Sequence, residues 1–182
     1  RIGFRYTVGY GATECGPIIC YSDYASFAKG SCGRAALHQE VRIVSPDPEN
    51  VPGEILTKGP NVLLGYYKNE DATRAAIDED GWFHTGDLAR VDEDGFYYIT
   101  GRKKNIIILD NGENVSPEEL ENLLSKCEAV KECIVREKGK KICAVIYCGE
   151  ADQQTVRDFI TETNRTLPLY KRMSAVEFST EP

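Results

Sequence analysis

Three short stretches hold the residues whose types and spacing could do chemistry. Tyr10-Gly11-Ala12-Thr13-Glu14 turns on a glycine and sets a hydroxyl beside a carboxylate. That pair suits a magnesium–phosphate group, with the threonine on a phosphate oxygen and the glutamate on the metal. The same letters also describe a strand-end turn with a capping threonine. Trp82-Phe83-His84-Thr85-Gly86-Asp87 places a carboxylate just after a second glycine. There it could accept two hydrogen bonds from a ribose diol, as the acidic residue of dinucleotide folds does. An ordinary turn acid is the competing reading. Gly101-Arg102-Lys103-Lys104 adds a planar guanidinium fork able to hold hydroxyls or phosphate, or else a solvated charge run. His84 and Asp87 do not form a hydrolase triad, because no serine sits in a Gly-x-Ser-x-Gly turn.

The elements that must position these residues change character near residue 104. Before it, residues 3–21 read as a strand entering a tight loop, broken at Gly9, Gly11 and Gly16-Pro17. Residues 34–101 read as short strands and turns, with one short helix over 69–78 carrying Ala72, Ala75 and Ala76. Two echoes, Asp78-Glu79-Asp80-Gly81 and Asp92-Glu93-Asp94-Gly95, resemble half a calcium loop. The twelfth position lacks the glutamate in both, so turns entering aromatic strands are the better reading.

After it, Ser116-Pro117-Glu118-Glu119 predicts a capping box, with Ser116 at the cap, Pro117 at the first helical position and Glu119 reaching back. Leu120, Leu123, Leu124 and Cys127 follow at helical spacing. Strands are predicted over 130–136 and 141–148, joined by the turn Lys138-Gly139-Lys140. A second helix, capped by Asp152, carries Val156, Phe159, Ile160 and Thr163 on one face, and a last short strand runs from Val176 to Phe178. With Ile106 to Leu109 as first strand, residues 104–182 read as a compact α+β unit of order β-α-β-β-α-β.

Composition narrows the function classes. The 182 residues carry a formal charge of −7, so the broad basic face of a general nucleic-acid binder is missing. No apolar run approaches the roughly 18 residues that span a membrane; peripheral membrane contact stays open. The seven cysteines form no Cys-x-x-Cys and sit in apolar runs, which fits a reduced, cytoplasmic chain using them as small core residues. With only two histidines, a zinc site of Cys/His type is not expected.

Taken in order, YGATE at 10–14, WFHTGD at 82–87, GRKK at 101–104 and NGENVSPEELE at 111–121 resemble the adenylate-forming superfamily. That superfamily includes acyl-CoA synthetases, firefly luciferase and nonribosomal peptide adenylation domains. The segment GEILTKGPNVLLGYYKNEDAT at 53–73 resembles the family's barrel region, and GRKKNIIILDNGENVSPEELE looks most like bacterial long-chain fatty-acid–CoA ligases. The resemblance implies an α+β fold. Residues 1–103 would be the end of the large adenylation domain, with a small distorted β-barrel over roughly 30–100. Residues 104–182 would be the mobile C-terminal domain, truncated at its end.

It also implies an activity and a division of roles. ATP with Mg2+ would activate a carboxylic acid, here a fatty acid, as an acyl-adenylate, which coenzyme A would then attack. Tyr10 would lie on the adenine with Ile99 nearby. Thr13 would contact phosphate, Glu14 would ligate magnesium, and Asp87 and Arg102 would hold the ribose. Lys104 would be the hinge between half-reactions and Gly112 the turn serving thioester formation, while Lys103 remains a solvated charge. The family's upstream phosphate loop and its C-terminal lysine have no counterpart in the chain. Lys171 lies in the wrong context for that lysine, so the chain is expected to be a C-terminal fragment that does not adenylate alone. The alternatives are an enzyme that loads a carrier protein and a non-catalytic nucleotide-binding relative.

Overall fold

The structure is a computed structural model that describes residues 6–180; the part of the predicted first segment at 3–5 lies outside them. The chain divides into two compact units, the first ending at Lys103 and the second starting at Lys104.

The first unit is built from two antiparallel sheets. Strands β1 (Gly9–Gly11), β2 (Ile18–Tyr21) and β3 (Arg34–Ala35) form one. Strands β4 (Glu40–Val44) and β5 (Gly53–Lys58) continue past helix α1 (Glu70–Ala76) into β6 (Phe83–Val91) and β7 (Tyr97–Arg102) as a four-stranded meander. Neither sheet closes on itself, so the expected barrel is an open pair of sheets among the described residues. The two are stitched where Cys32 N–H donates to the Tyr97 carbonyl and Tyr97 N–H to the Gly33 carbonyl, each at 2.9 Å.

The seam buries Cys15, Ile19, Cys20, Cys32 and Phe83, against which Tyr10 and Ile99 pack. All seven cysteines are free thiols and five are buried, which is the small-core-residue use expected of them. Asn69 caps α1 by accepting the Ala72 N–H at 3.0 Å. Asp78 accepts the Trp82 N–H and Asp92 the Phe96 N–H, each at 2.8 Å. These carboxylates therefore make turns into aromatic strands, as read from the sequence.

In the second unit the apolar run at 106–109 shortens to β8 (Ile107–Ile108), paired with β9 (Asn114–Val115) in a two-stranded ladder among the described residues. Helix α2 (Pro117–Leu124) follows, then the hairpin of β10 (Glu132–Lys138) and β11 (Lys141–Tyr147). Its two turn residues, Gly139 and Lys140, have φ of 58° and 64°, the left-handed pair that matches strand twist in a two-residue turn. Helix α3 (Gln153–Thr166) then crosses over to β12 (Ala175–Ser179), which lies parallel to β11. The three-stranded sheet and both helices enclose Leu120, Leu124, Ile142, Ile146, Val156 and Ile160.

The predicted capping box does not form. Ser116 occupies the cap position, but its hydroxyl donates to Glu118 at 2.8 Å, and Glu119 is drawn away to Lys171 at 2.8 and 2.9 Å. A cation fifty-two residues on outcompetes a local backbone bond because the ion pair is charge-assisted. Asp152 likewise holds the cap position of α3 without a side-chain cap bond, because a 3-10 turn over Glu150–Asp152 precedes the helix.

Candidate functional site

The turn after β1 is fixed by groups that leave it little freedom. A Cβ on Gly11 would stand 1.7 Å from the Pro17 carbonyl oxygen, so only glycine permits β1 and β2 to approach. Thr13–Cys15 forms a single 3-10 turn, closed by Cys15 N–H on the Ala12 carbonyl. Asn61 braces it from outside, donating to the Cys15 and Ile18 carbonyls, and Leu63 N–H donates to the Glu14 carbonyl at 2.7 Å. Glu14 Oε1 accepts from the Tyr66 hydroxyl at 2.9 Å. Its other oxygen takes no hydrogen bond from the described residues, and Thr13 beside it is exposed.

Asp87 and Arg102 face each other across the β6–β7 ladder. Arg102 Nε donates to Asp87 Oδ1 at 2.6 Å, and the Tyr10 hydroxyl donates to Asp87 Oδ2 at 2.7 Å. Three residues separated by 77 and 15 positions thus meet on one carboxylate whose side chain is 11 % exposed. Burial, with the Asp87 charge adding to it, pushes the Tyr10 phenol far above its usual range, so it stays a donor.

Asp87 reaches this place through an irregularity in β6. Glu54 faces Leu88 and Leu56 faces His84, so two steps along β5 span four along β6. The surplus residues bulge, with Gly86 at φ 72°, and a bulge re-aims the side chain that follows it. Its backbone is satisfied by side chains. Thr85 Oγ1 accepts the Asp87 N–H at 3.0 Å while donating to the Ile55 carbonyl at 2.8 Å, and Glu54 Oε1 accepts the Gly86 N–H at 3.2 Å.

The structure therefore gathers Tyr10, Asp87 and Arg102, packs Ile99 on the same apolar seam as Tyr10, and sets Thr13 and Glu14 on one turn. Lys104 is exposed in the 3-10 turn Lys103–Asn105, at the boundary of the two units. Gly112 closes the β8–β9 turn at φ 81°, with nothing within 4 Å of where a Cβ would stand. Lys103 is exposed, as expected of a solvated charge, and its Nζ lies 3.0 Å from Glu54 Oε2. Sequence reasoning assigned nothing to Glu54, Asn61 or Tyr66, whose partners lie 32, 46 and 52 positions away.

Residues 1–67 match the family described as AMP-binding enzyme, and residues 104–175 match the AMP-binding enzyme C-terminal domain. The chain belongs to this family of adenylate-forming enzymes. It is 40 % identical over 177 residues to 2-succinylbenzoate–CoA ligase of Bacillus cytotoxicus, a match covering 93 % of this chain and 36 % of that one. It is 37 % identical over 182 residues to long-chain-fatty-acid–CoA ligase of Escherichia coli O6:H1, covering 95 % and 32 %. O-succinylbenzoate coenzyme A synthetase from Bacillus subtilis, solved with ATP and magnesium ion, superposes with a TM-score of 0.80 at 31 % identity, over 97 % of this chain and 38 % of that one. The chain thus spans about a third of the length of the relatives it matches. A fatty-acid ligase is among them, but similarity does not set it apart from the succinylbenzoate enzyme.

Among the described residues no helix is long and apolar enough to cross a membrane.

Proposed function

We propose that this chain supplies the nucleotide clamp and the mobile C-terminal part of an AMP-forming acid–CoA ligase, acting on a fatty acid in the cytoplasm. The observation that carries the reading is the meeting of Tyr10 and Arg102 on the Asp87 carboxylate. Each carboxylate oxygen has a second lone pair, so a ribose diol can add to the existing bonds or replace them. Tyr10 and Ile99 offer an apolar seat for adenine beside it. Glu14, with one oxygen uncommitted, would hold a magnesium ion, and Thr13 beside it would contact phosphate. When bound, that ion offsets charge on the departing pyrophosphate. The clamp holds the nucleotide so that the acid's carboxylate attacks the α-phosphorus in line. The thiol of coenzyme A then displaces AMP from the acyl-adenylate.

The test is ATP–pyrophosphate exchange by the full-length protein, with acids from acetate to palmitate, followed by addition of coenzyme A. Exchange with fatty acids and thioester formation is the expected result, with no exchange by the 182 residues alone. Exchange with no acid would refute the reading. Exchange without thioester formation would move it to a carrier-loading enzyme.

Tyr66 adds a separable prediction. Its hydroxyl fixes one oxygen of Glu14 and so aims the other. Tyr66→Phe should raise the half-saturating Mg2+ concentration about 10-fold, the low end for loss of a group that orients a metal ligand. AMP binding measured without magnesium should be unchanged. A parallel loss of AMP affinity would mean that Tyr66 supports the fold and not the metal.

A further inference from the structure

We infer that Glu54 is a positioning residue for the nucleotide clamp, an inference that rests on the reading of Asp87 and Arg102 just given. No substrate atom need touch it. Its two carboxylate oxygens engage both ends of the clamp. Oε1 accepts the Gly86 N–H, one residue before Asp87, and Oε2 lies 3.0 Å from Lys103 Nζ, one residue after Arg102. The same Oε2 lies 3.4 Å from His84 Nδ1, whose Nε2 in turn lies 3.6 Å from Asp78.

The bulge explains why a carboxylate is needed here. Two extra residues in β6 leave backbone N–H groups that β5 cannot pair. Thr85 takes the one on Asp87 and Glu54 the one on Gly86. Without the second bond the bulge can relax toward a regular ladder. An even surplus keeps each side chain on its face, so such relaxation would instead shift Asp87 along the strand, out of register with Arg102 and Tyr10. The side chain of Glu54 is 11 % exposed, and burial alone would raise its pKa. Lys103 and His84 outweigh that and hold the carboxyl below its usual range, so it remains an acceptor. Lys103, otherwise a surface lysine, thereby tethers the segment that follows Arg102.

The experiment measures AMP affinity of the full-length protein well below its melting temperature, for wild type, Glu54→Gln, Glu54→Ala, Asp87→Ala and Ile55→Val. Ile55 is fully buried on the same strand and meets the bulge only through its backbone carbonyl, which accepts from Thr85 and is kept in valine, so its variant reports loss of stability alone. Glu54→Gln keeps an acceptor for Gly86 but loses the charge facing Lys103. It should weaken AMP about 3-fold and Glu54→Ala about 10-fold, within the range for loss of one ordinary hydrogen bond, since the effect reaches the nucleotide only through the backbone of the bulge. The KM for ATP should rise by similar factors with a smaller change in kcat. Ile55→Val should lower the melting temperature with AMP affinity unchanged. AMP affinity within twofold of wild type in Glu54→Gln and Glu54→Ala overturns the inference, as does an equal loss in Ile55→Val. Where Glu54→Ala does not fold, Glu54→Gln decides. If Asp87→Ala also binds AMP normally, the clamp reading fails and takes this one with it.

Discussion

Asp87→Ala should cost about 10²-fold in AMP affinity, one of the two main effects expected from this structure. The carboxylate would hold both ribose hydroxyls, and each such bond to a charged acceptor contributes about 1.5–3 kcal/mol when its partner cannot be replaced. Each 1.4 kcal/mol is about tenfold in binding, so even the lower figure for two bonds gives this factor. Asp87→Asn keeps one acceptor oxygen and should fall between wild type and alanine.

Stability should respond far less than binding. Arg102 is 52 % exposed at its side chain, and exposed ion pairs contribute about 0–1 kcal/mol. The Tyr10 hydroxyl loses its acceptor, but the volume vacated by the aspartate gives water a route to it. Titration calorimetry with AMP, beside thermal unfolding, separates the two quantities. Affinity within twofold of wild type in Asp87→Ala would remove the ribose assignment, and with it the main argument for a clamp.

Much of this site was legible because its members lie in short local patterns. Gly11, Gly86 and Gly112 mark turns, and the residues proposed for the chemistry lie beside them. The open sheets were harder to foresee. Strand alternation fixes which face is buried, but whether β4 and β7 close into a barrel depends on pairings with no local signature. The capping box failed for a related reason. Ser116 and Glu119 have the right spacing, yet Lys171 arrives from the far end of the unit and takes the glutamate. Lys103 stays exposed, as read, but its pairing with Glu54, 49 positions earlier, has no local signature either. Glu54 itself sits in an ordinary strand sequence. Only the unequal register of β5 and β6, a property of two strands together, shows that its carboxylate has a bulge to satisfy.

Lys104→Pro should separate the two half-reactions. Strand β7 ends at Arg102 with its last ladder pair to Asp87, and the boundary between the two compact units falls between Lys103 and Lys104. A hinge needs only a few torsions at such an element end. Proline fixes φ near −65° at that position, a value that the 3-10 turn Lys103–Asn105 tolerates. The variant should therefore fold, and one arrangement of the C-terminal unit should be lost if reaching it requires φ of residue 104 to change. Pyrophosphate exchange should stay within about threefold of wild type. Thioester formation should fall about 10²-fold, the scale expected when reacting groups are misplaced by an ångström. Lys104→Ala supplies the contrast, since it removes the charge while leaving the torsion free. The exposed Lys104 side chain makes no ion pair among the described residues, so alanine should preserve both half-reactions. Equal loss of both half-reactions in Lys104→Pro, or the same selective loss in Lys104→Ala, would show that the residue acts through its side chain or through stability and not as the joint.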